Sequence, residues 1–203
     1  MLPRAQVSAE RINEVLDETS KILDGERECG LEGEVGTVEF RNVSFKYPDA
    51  EEYLLEDISF KAERGQTVAF IGSTGSGKST LINLVPRFYD VTDGKVLVDG
   101  VDVRDYKLSA LNNKLGYVPQ RAVMFSGTVK SNVCFGENGK EKISDKKMRA
   151  AVKTAQGKDF VEKMDKEYDS HIAQGGTNVS GGQKQRLAIA RAVARDPEIF
   201  IFD

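Results

Sequence analysis

A glycine-rich run that ends in a lysine and two hydroxyl residues, GSTGSGKST at 72–80, limits the possible folds of this chain more than any other segment. It satisfies the spacing GxxxxGK[ST], with an apolar strand-like run at 67–71 before it and helical sequence after it. Glycines let such a loop turn so that successive backbone N–H groups face phosphate oxygens, next to the positive end of a helix. The order strand, loop, helix therefore predicts a nucleoside triphosphate site. The alternative is a glycine-rich turn that matches the spacing by chance.

The side chains of this run predict how ATP and Mg²⁺ would be bound. Lys78 supplies a cation for the β- and γ-phosphates, and the Ser79 hydroxyl is a hard oxygen ligand for Mg²⁺. Asp203 follows the apolar run IFIF, and a carboxylate at the end of such a strand orders the Mg²⁺ shell in enzymes with this loop. The residues expected to line the phosphates are Gly72, Ser73, Thr74, Gly75, Ser76, Gly77, Lys78, Ser79 and Thr80.

The composition excludes other classes of protein. A net charge of -3 over 203 residues gives no electrostatic reason to expect a nucleic-acid partner. No apolar run approaches the roughly 20 residues that span a bilayer. We therefore expect this chain to lie in the cytosol and to reach a membrane through another segment or subunit. His171 is the one histidine, which excludes a histidine-rich metal site, and Cys29 and Cys134 lack CxxC spacing and are expected to be reduced thiols.

Hydrophobic spacing predicts both helices and strands. An amphipathic helix is predicted over 8–23 with Ser8 as its N-cap, and the polar, glycine-rich stretch 24–36 is predicted to be a linker. Strands are expected over 37–47, 54–62, 67–72, 94–100, 115–120 and 199–202, and helices over 128–133, 144–154, 158–164 and 180–194. The apolar run IFIF predicts a buried strand, and the mixture predicts an α/β fold whose sheet is covered on both faces.

The run VSGGQKQRLAIARA at 179–192 carries a resemblance to a known family. It resembles the signature segment of ATP-binding cassette (ABC) ATPases, and the chain from about Gly36 to Asp203 is similar in motif order and spacing to the nucleotide-binding domain of an ABC exporter. The resemblance implies an α/β P-loop NTPase fold, with a RecA-like core, an antiparallel β subdomain and an α-helical signature subdomain. It implies a nucleotide-binding domain over 34–203 and a helical subdomain at about 121–185, with the C-terminal part of the core missing.

The resemblance also assigns residues outside the phosphate loop. Tyr47, in FKYP, matches the aromatic residue that stacks on adenine. Gln120, in GYVPQ, matches the glutamine that contacts Mg²⁺ or the attacking water, so the implied catalytic residues are Lys78, Gln120 and Asp203. At the signature, Ser180 caps a helix and leaves free N–H groups that suit an anion. The residues implied to reach the γ-phosphate of ATP on an opposite protomer are Ser180, Gly181, Gly182 and Gln183.

The function implied by the resemblance is a coupling of MgATP binding, head-to-tail dimerisation and ATP hydrolysis to substrate transport. The implied partners are a transmembrane domain of the same parent chain, which residues 1–33 would follow as a linker helix, and a second nucleotide-binding domain. The sequence AQGGTNVSGGQ resembles the corresponding segment in one of the two subunits of heterodimeric exporters. A heterodimer is therefore slightly favoured over a homodimer. The implied location is the cytoplasmic face of the membrane.

The family places a catalytic carboxylate, a D-loop and a switch histidine after the residue that matches Asp203. We therefore expect this chain to bind ATP but to lack hydrolytic competence by itself. The family also places a strand between the phosphate-loop strand and the Asp203 strand, so both are expected to lack a neighbour. Two other functions stay open. One is a soluble ABC-type ATPase without transport, and the other is a regulatory module that binds ATP without hydrolysing it.

Overall fold

A computed structural model describes residues 2–136 and 139–203, with side chains from Gln6 onward. The helices are α1 (Leu2–Leu16), α2 (Lys78–Asn83), α3 (Leu108–Lys114), α4 (Val129–Val133), α5 (Asp145–Thr154), α6 (Lys158–Val161) and α7 (Gly181–Ala194). The strands are β1 (Val38–Phe45), β2 (Leu55–Ala62), β3 (Asp93–Val98), β4 (Val101–Asp102), β5 (Leu115–Val118), β6 (Gly127–Thr128), β7 (His171–Ile172) and β8 (Ile199–Phe202). The predicted α/β class, with an antiparallel sheet and a separate helical part, is confirmed.

The antiparallel sheet has the order β2-β1-β3-β4. The alternation of buried residues shifts by one position along β1. Val38 and Phe40 are buried in its first half, and Val43 and Phe45 are buried in its second half. The change occurs where the register with β2 shifts and Asn42 takes a φ of 47°. An extra residue at such a bulge turns the next side chains to the other face of the strand. The bulge therefore keeps both ends of β1 in the core that β1 shares with α2.

A second sheet carries the end of the chain. β5 and β8 pair in parallel, from Leu115 opposite Ile199 to Val118 opposite Phe202. Parallel neighbours end at the same edge, so this register fixes Asp203 directly beyond Val118, whose carbonyl accepts a hydrogen bond from the Asp203 N–H at 3.0 Å.

Helices α4, α5 and α7 pack around a core of their own. The buried face of α7 consists mostly of small residues, which let the helix approach α5 closely. These residues are Leu187, Ala188, Ala190, Ala192 and Ala194. The predicted helices at 128–133, 144–154 and 180–194 are confirmed within a residue, and those of 144–154 and 180–194 begin after serine caps.

The bounds predicted for the first helix are wrong. α1 spans Leu2–Leu16, so Ser8 lies inside the helix and caps nothing, and residues 17–23 are not helical. Leucine, alanine, arginine and glutamine are good helix formers, which extends the helix toward the N-terminus past the serine. Within the described residues, none of the helices combines the length and the apolar character that crossing a bilayer requires.

The stretch 24–36, which is predicted to be a linker, is held against the domain by backbone hydrogen bonds. The backbone N–H of Gly25 donates to the Tyr106 carbonyl at 2.9 Å, and that of Leu31 donates to the Asp99 carbonyl at 2.8 Å. The buried Asp99 carboxylate accepts from the backbone N–H of Gly36 at 2.7 Å and from the Lys114 ammonium at 2.7 Å. Burial opposes the charge on that ammonium, yet its hydrogen bonds to Asp99 and Glu198 raise the pKa of Lys114. This carboxylate therefore joins the linker, β3 and α3.

Two strand predictions near the phosphate loop are wrong. Residues 67–71 form no strand and pair with no other segment of the described chain, and Ile71 is 97% exposed. In β8, which was predicted to be buried, Phe200 and Phe202 are 44% and 60% exposed. A groove of about 900 Å³ runs between 67–70 and β8 and opens at Lys78. Sequence propensity marks residues that suit a sheet, but a strand forms only where a neighbour completes its hydrogen bonds.

Candidate nucleotide-binding site

The phosphate loop folds as the spacing predicts, with glycines where the backbone requires them. Gly75 and Gly77 have φ values of 85° and 84°, in the left-handed region that other residues avoid. A Cβ on Gly77 would lie 2.9 Å from Cδ2 of Leu55, so the loop also packs tightly against β2. α2 begins directly after Gly77 without a side-chain cap. The first N–H groups of α2 therefore have no side-chain cap within the loop.

The Lys78 side chain folds back over this loop. Its ammonium donates to the carbonyl oxygens of Gly72 at 2.9 Å and Ser73 at 2.6 Å, and to Oγ of Ser76 at 3.2 Å. Every one of these acceptors is neutral, so the charge of the lysine is solvated but not neutralised. A cation in this position favours a bound anion over the loop.

Two of the three residues predicted to bind Mg²⁺, Ser79 and Asp203, meet in the structure. Oγ of Ser79 donates to Oδ1 of Asp203 at 2.7 Å, across a separation of 124 residues. α2 positions the serine, and the β5–β8 pairing positions the aspartate. A hydroxyl and a carboxylate at this distance are both hard oxygen ligands, the kind that Mg²⁺ prefers.

Gln120 lies at the same sheet edge. β5 ends at Val118, so Gln120 follows it closely, as Asp203 follows β8, and its side chain is exposed. Nearby, the Tyr117 hydroxyl donates to Oδ1 of Asn83 at 2.8 Å and so links β5 to α2. Burial, together with the negative charge of Asp203, raises the pKa of Tyr117, which keeps the phenol protonated. The structure thus places Gln120 two residues beyond β5, and within the described residues its side chain makes no hydrogen bond to Ser79 or Asp203.

Tyr47 stands at the end of β1, on the other side of α2. Its hydroxyl lies 2.9 Å from Oγ1 of Thr80, within a hydrogen bond that joins the aromatic ring to the phosphate-loop helix. The ring remains 36% exposed. The structure therefore brings the partly exposed Tyr47 ring next to the helix that follows the phosphate loop.

The signature residues form the start of α7. Oγ of Ser180 accepts from the Gln183 N–H at 3.3 Å, and Oε1 of Gln183 accepts from the Ser180 N–H at 2.8 Å, which is a complete capping box. Gly181 and Gly182 are exposed, and a Cβ on either would meet no atom within 4 Å. No hydrogen bond or ion pair of the described chain joins these residues to the phosphate loop. The structure therefore keeps the two predicted phosphate-binding segments apart.

One aromatic residue of the site was not predicted. Tyr89 lies beyond α2 and meets the Tyr47 ring at a centroid distance of 5.3 Å and an interplanar angle of 90°. The sequence RFYD indicates that Tyr89 is an aromatic residue at the surface. It does not indicate that Tyr89 contacts Tyr47, because these two residues are far apart in the chain. Other expected features agree with the structure: Cys29 and Cys134 are free cysteines, and His171 is exposed in β7.

The arrangement fits ATP and Mg²⁺ on its own geometry. The loop combines left-handed glycines, a lysine bonded only to neutral oxygens, and a hydroxyl–carboxylate pair of hard ligands. Within the described residues, no group of three or more histidine, cysteine, aspartate or glutamate side chains could hold a metal ion alone. A cation here would need oxygens from elsewhere, and a nucleotide's phosphates supply them.

Comparisons with known proteins agree with this geometry. A family model described as ABC transporter matches residues 55–203. A Mycobacterium tuberculosis protein named as an uncharacterized ABC transporter ATP-binding protein is 46% identical over 204 residues, covering 100% of this chain and 35% of that protein. A Staphylococcus aureus protein named for multidrug export, as an ATP-binding/permease protein, is 42% identical over 190 residues, covering 94% of this chain and 32% of that protein.

A solved structure is similar over nearly the whole fold. It is described as a bacterial Atm1-family ABC exporter with ATP bound, and it matches with a TM-score of 0.87 and 34% sequence identity over 99% of this chain and 34% of that chain. The chain described here thus spans about a third of the length of the proteins that it matches.

Proposed function

Since this chain belongs to the ABC transporter family, we propose that it is the ATP-binding domain of an exporter, in which MgATP binding and hydrolysis drive transport of a substrate across a membrane. The observation that carries the proposal is the 2.7 Å hydrogen bond between Ser79 and Asp203 beside the glycine loop. It joins two hard oxygen ligands that are 124 residues apart in the chain, next to the loop over which Lys78 is folded.

The position of each site residue supports a specific role in binding or hydrolysing MgATP. Lys78 exchanges its loop carbonyls for the β- and γ-phosphates, Ser79 and Asp203 orient the Mg²⁺ shell, and Gln120 orients the attacking water at the same sheet edge. Tyr47 provides the ring on which the adenine stacks. Bound Mg²⁺ supplies charge neutralisation between the phosphate oxygens. The identity of the general base decides hydrolytic competence.

A second nucleotide-binding domain completes the site in this proposal. Gly181 and Gly182 have open space where side chains would be, so no packing contact of the described residues explains two glycines at the start of α7. A γ-phosphate held by the phosphate loop of the partner fits that space, with the N–H groups of the first turn directed at it. MgATP would then join two domains head to tail. The other proposed partner is a transmembrane domain of the same protein, which places this domain at the cytoplasmic face of the membrane.

The binding part of the proposal is tested by Lys78→Ala. We expect a loss of MgATP affinity of about 100-fold or more, because the ammonium group that lies over the loop is removed, an effect of roughly 3 kcal/mol. Isothermal titration calorimetry of the purified chain measures it. Lys163→Ala is the matched control, since that lysine is exposed on the helical part, and its affinity is expected to equal that of the unchanged protein. Retained affinity in Lys78→Ala would overturn the proposed site.

The transport part is tested by sequencing the coding DNA on both sides of this segment. Transmembrane helices upstream, with glutamate after Asp203 and a later histidine, would indicate a hydrolysis-competent exporter half. Aspartate after Asp203 would support one half of a heterodimer whose own site is degenerate. A reading frame with no membrane segment, and no transmembrane gene beside it, would contradict transport and favour a soluble ATPase or a regulatory module.

A further inference from the structure

Three aromatic rings meet beside the phosphate loop, and Tyr47 is at their centre. Tyr47 contacts Phe45 edge to face at a centroid distance of 5.0 Å and 81°, and Tyr89 at 5.3 Å and 90°. Phe45 and Tyr89 also contact each other, at 5.6 Å and 53°. Aromatic rings prefer such edge-to-face pairs because the positive edge of one ring meets the negative face of the other. The three rings therefore restrain one another.

The restraints on Tyr47 come from different parts of the fold. Phe45 is 2% exposed and belongs to the core under β1, so it cannot move without the sheet. Thr80, which bonds the Tyr47 hydroxyl at 2.9 Å, is 7% exposed and fixed in α2. Tyr89 is 37% exposed and lies on the segment that leaves α2. It is the one ring contact of Tyr47 outside the core.

A tyrosine ring on a loop is mobile unless something stops its rotation about χ1 and χ2. The hydroxyl bond to Thr80 fixes only the tip of the Tyr47 side chain, and Phe45 restrains one side of the ring. Without Tyr89 the ring could swing on that tip. Any ligand that stacks on Tyr47 would then have to order the ring as it binds, at a cost in affinity.

We propose that Tyr89 is a positioning residue for the nucleotide base: its ring restrains Tyr47 in the orientation that stacks on the base, without contacting the base itself. This inference rests on the proposed function, in which Tyr47 is the stacking surface. It predicts that Tyr89 contributes to the affinity for a complete nucleotide and contributes nothing to the affinity for its phosphates alone.

The test compares two probes, MgATP and magnesium tripolyphosphate, which share phosphates but differ in the nucleoside. In Tyr89→Leu, we expect MgATP affinity to fall about threefold to tenfold, the range for one aromatic pair, and tripolyphosphate affinity to stay within about twofold. Tyr89→Phe retains the ring and is the matched control, with both affinities unchanged. An equal loss for both probes in Tyr89→Leu would show a general structural role and would overturn the proposal.

A double-mutant cycle separates positioning from direct contact. Tyr47→Ala is expected to weaken MgATP by about fivefold or more, the effect of a lost stacking ring, and adding Tyr89→Leu should weaken it no further. An undiminished effect of Tyr89→Leu in the Tyr47→Ala background would mean that Tyr89 contacts the base, and would overturn the positioning role. Normal MgATP affinity in Tyr47→Ala would overturn this proposal alone, since Lys78→Ala tests the phosphate site separately.

A spectroscopic measurement tests the restraint without nucleotide. The chain contains no tryptophan, so Tyr47→Trp introduces a single indole at the ring position. Its fluorescence anisotropy is expected to fall, and its quenching by acrylamide to rise, when Tyr89→Leu is added but not when Tyr89→Phe is added. Equal anisotropy and quenching in all three proteins would contradict the proposed restraint. This readout also covers the case in which Tyr89→Leu alone proves too unstable for titration.

Discussion

The phosphate loop at 72–80 and the start of α7 at 180–183 are both rich in glycine, but the glycines do different things. At the loop, Gly77 has a φ of 84° and a Cβ there would lie 2.9 Å from Leu55. At α7, Gly182 has ordinary helical geometry and open space around it. The first glycine is required by the fold of this chain. The second has no such packing reason among the described residues, which agrees with the proposed contact to a partner's nucleotide.

The comparison predicts opposite effects of the same substitution. Gly77→Ala is expected to lower the free energy of unfolding by about 2 kcal/mol, because alanine is strained at this φ and its methyl group crowds Leu55. Gly182→Ala is expected to leave it unchanged or slightly raised, since alanine favours helix. Urea unfolding followed by circular dichroism measures both. A comparable destabilisation by the two substitutions would remove the distinction between the two glycine segments.

A second prediction concerns the two proposed metal ligands, Ser79 of the phosphate loop and Asp203. Ser79→Ala removes the hydroxyl that meets Asp203, so ATP affinity in the presence of Mg²⁺ is expected to fall about tenfold, or roughly 1.4 kcal/mol. Affinity measured in EDTA should change little, since the lysine and the loop amides remain.

Ser180→Ala at the other glycine segment is the control for this measurement. In an isolated chain, its ATP affinity is expected to equal that of the unchanged protein with and without Mg²⁺. A loss of Mg²⁺-dependent affinity in Ser180→Ala would show that the start of α7 contributes to the chain's own site.

The smallest expected effect separates capping from ligand binding. α4 and α7 both begin with a capping box, at Thr128 and Ser180. Thr128→Ala and Ser180→Ala are each expected to lower the free energy of unfolding by about 1 kcal/mol, the usual cost of a lost N-cap. Chemical denaturation measures both. If Ser180→Ala left the free energy of unfolding unchanged, Ser180 would not stabilise α7 as an N-cap, and its role would be ligand binding alone.

The sequence predicted the parts of the fold in which local signals and tertiary structure agree. The helix at 180–194 has a cap, a glutamine at the third position and a buried apolar face, and every one of these signals points to the same start. Residues 67–71 carry an equally clear strand signal, but no strand of the described chain pairs with them. Whether an apolar run becomes a strand depends on which strands lie next to it. The β propensity of its residues carries no information about those neighbours.

The same limit applies to the candidate site. The loop motif and the aspartate after IFIF predicted a pair that the structure brings to 2.7 Å, because strand ends and loops meet at one edge of an α/β sheet. No general rule of α/β folds predicts the contact between Tyr47 and Tyr89. The backbone hydrogen bonds that fix the linker to the domain had no sequence signal either, because a polar and glycine-rich composition does not indicate which groups a segment contacts.

The docking of that linker has a consequence for how the chain tolerates change. Its bonds to Asp99, Asp105 and Tyr106 come from backbone N–H groups, which any residue except proline provides. Its close approaches are at Gly25 and Gly30, where a Cβ would lie 2.3 Å from the Asp105 carbonyl oxygen and 2.2 Å from Cβ of Asp99. The segment should therefore tolerate most substitutions but not a change in its length. An inserted residue would displace every backbone N–H group after it from its acceptor.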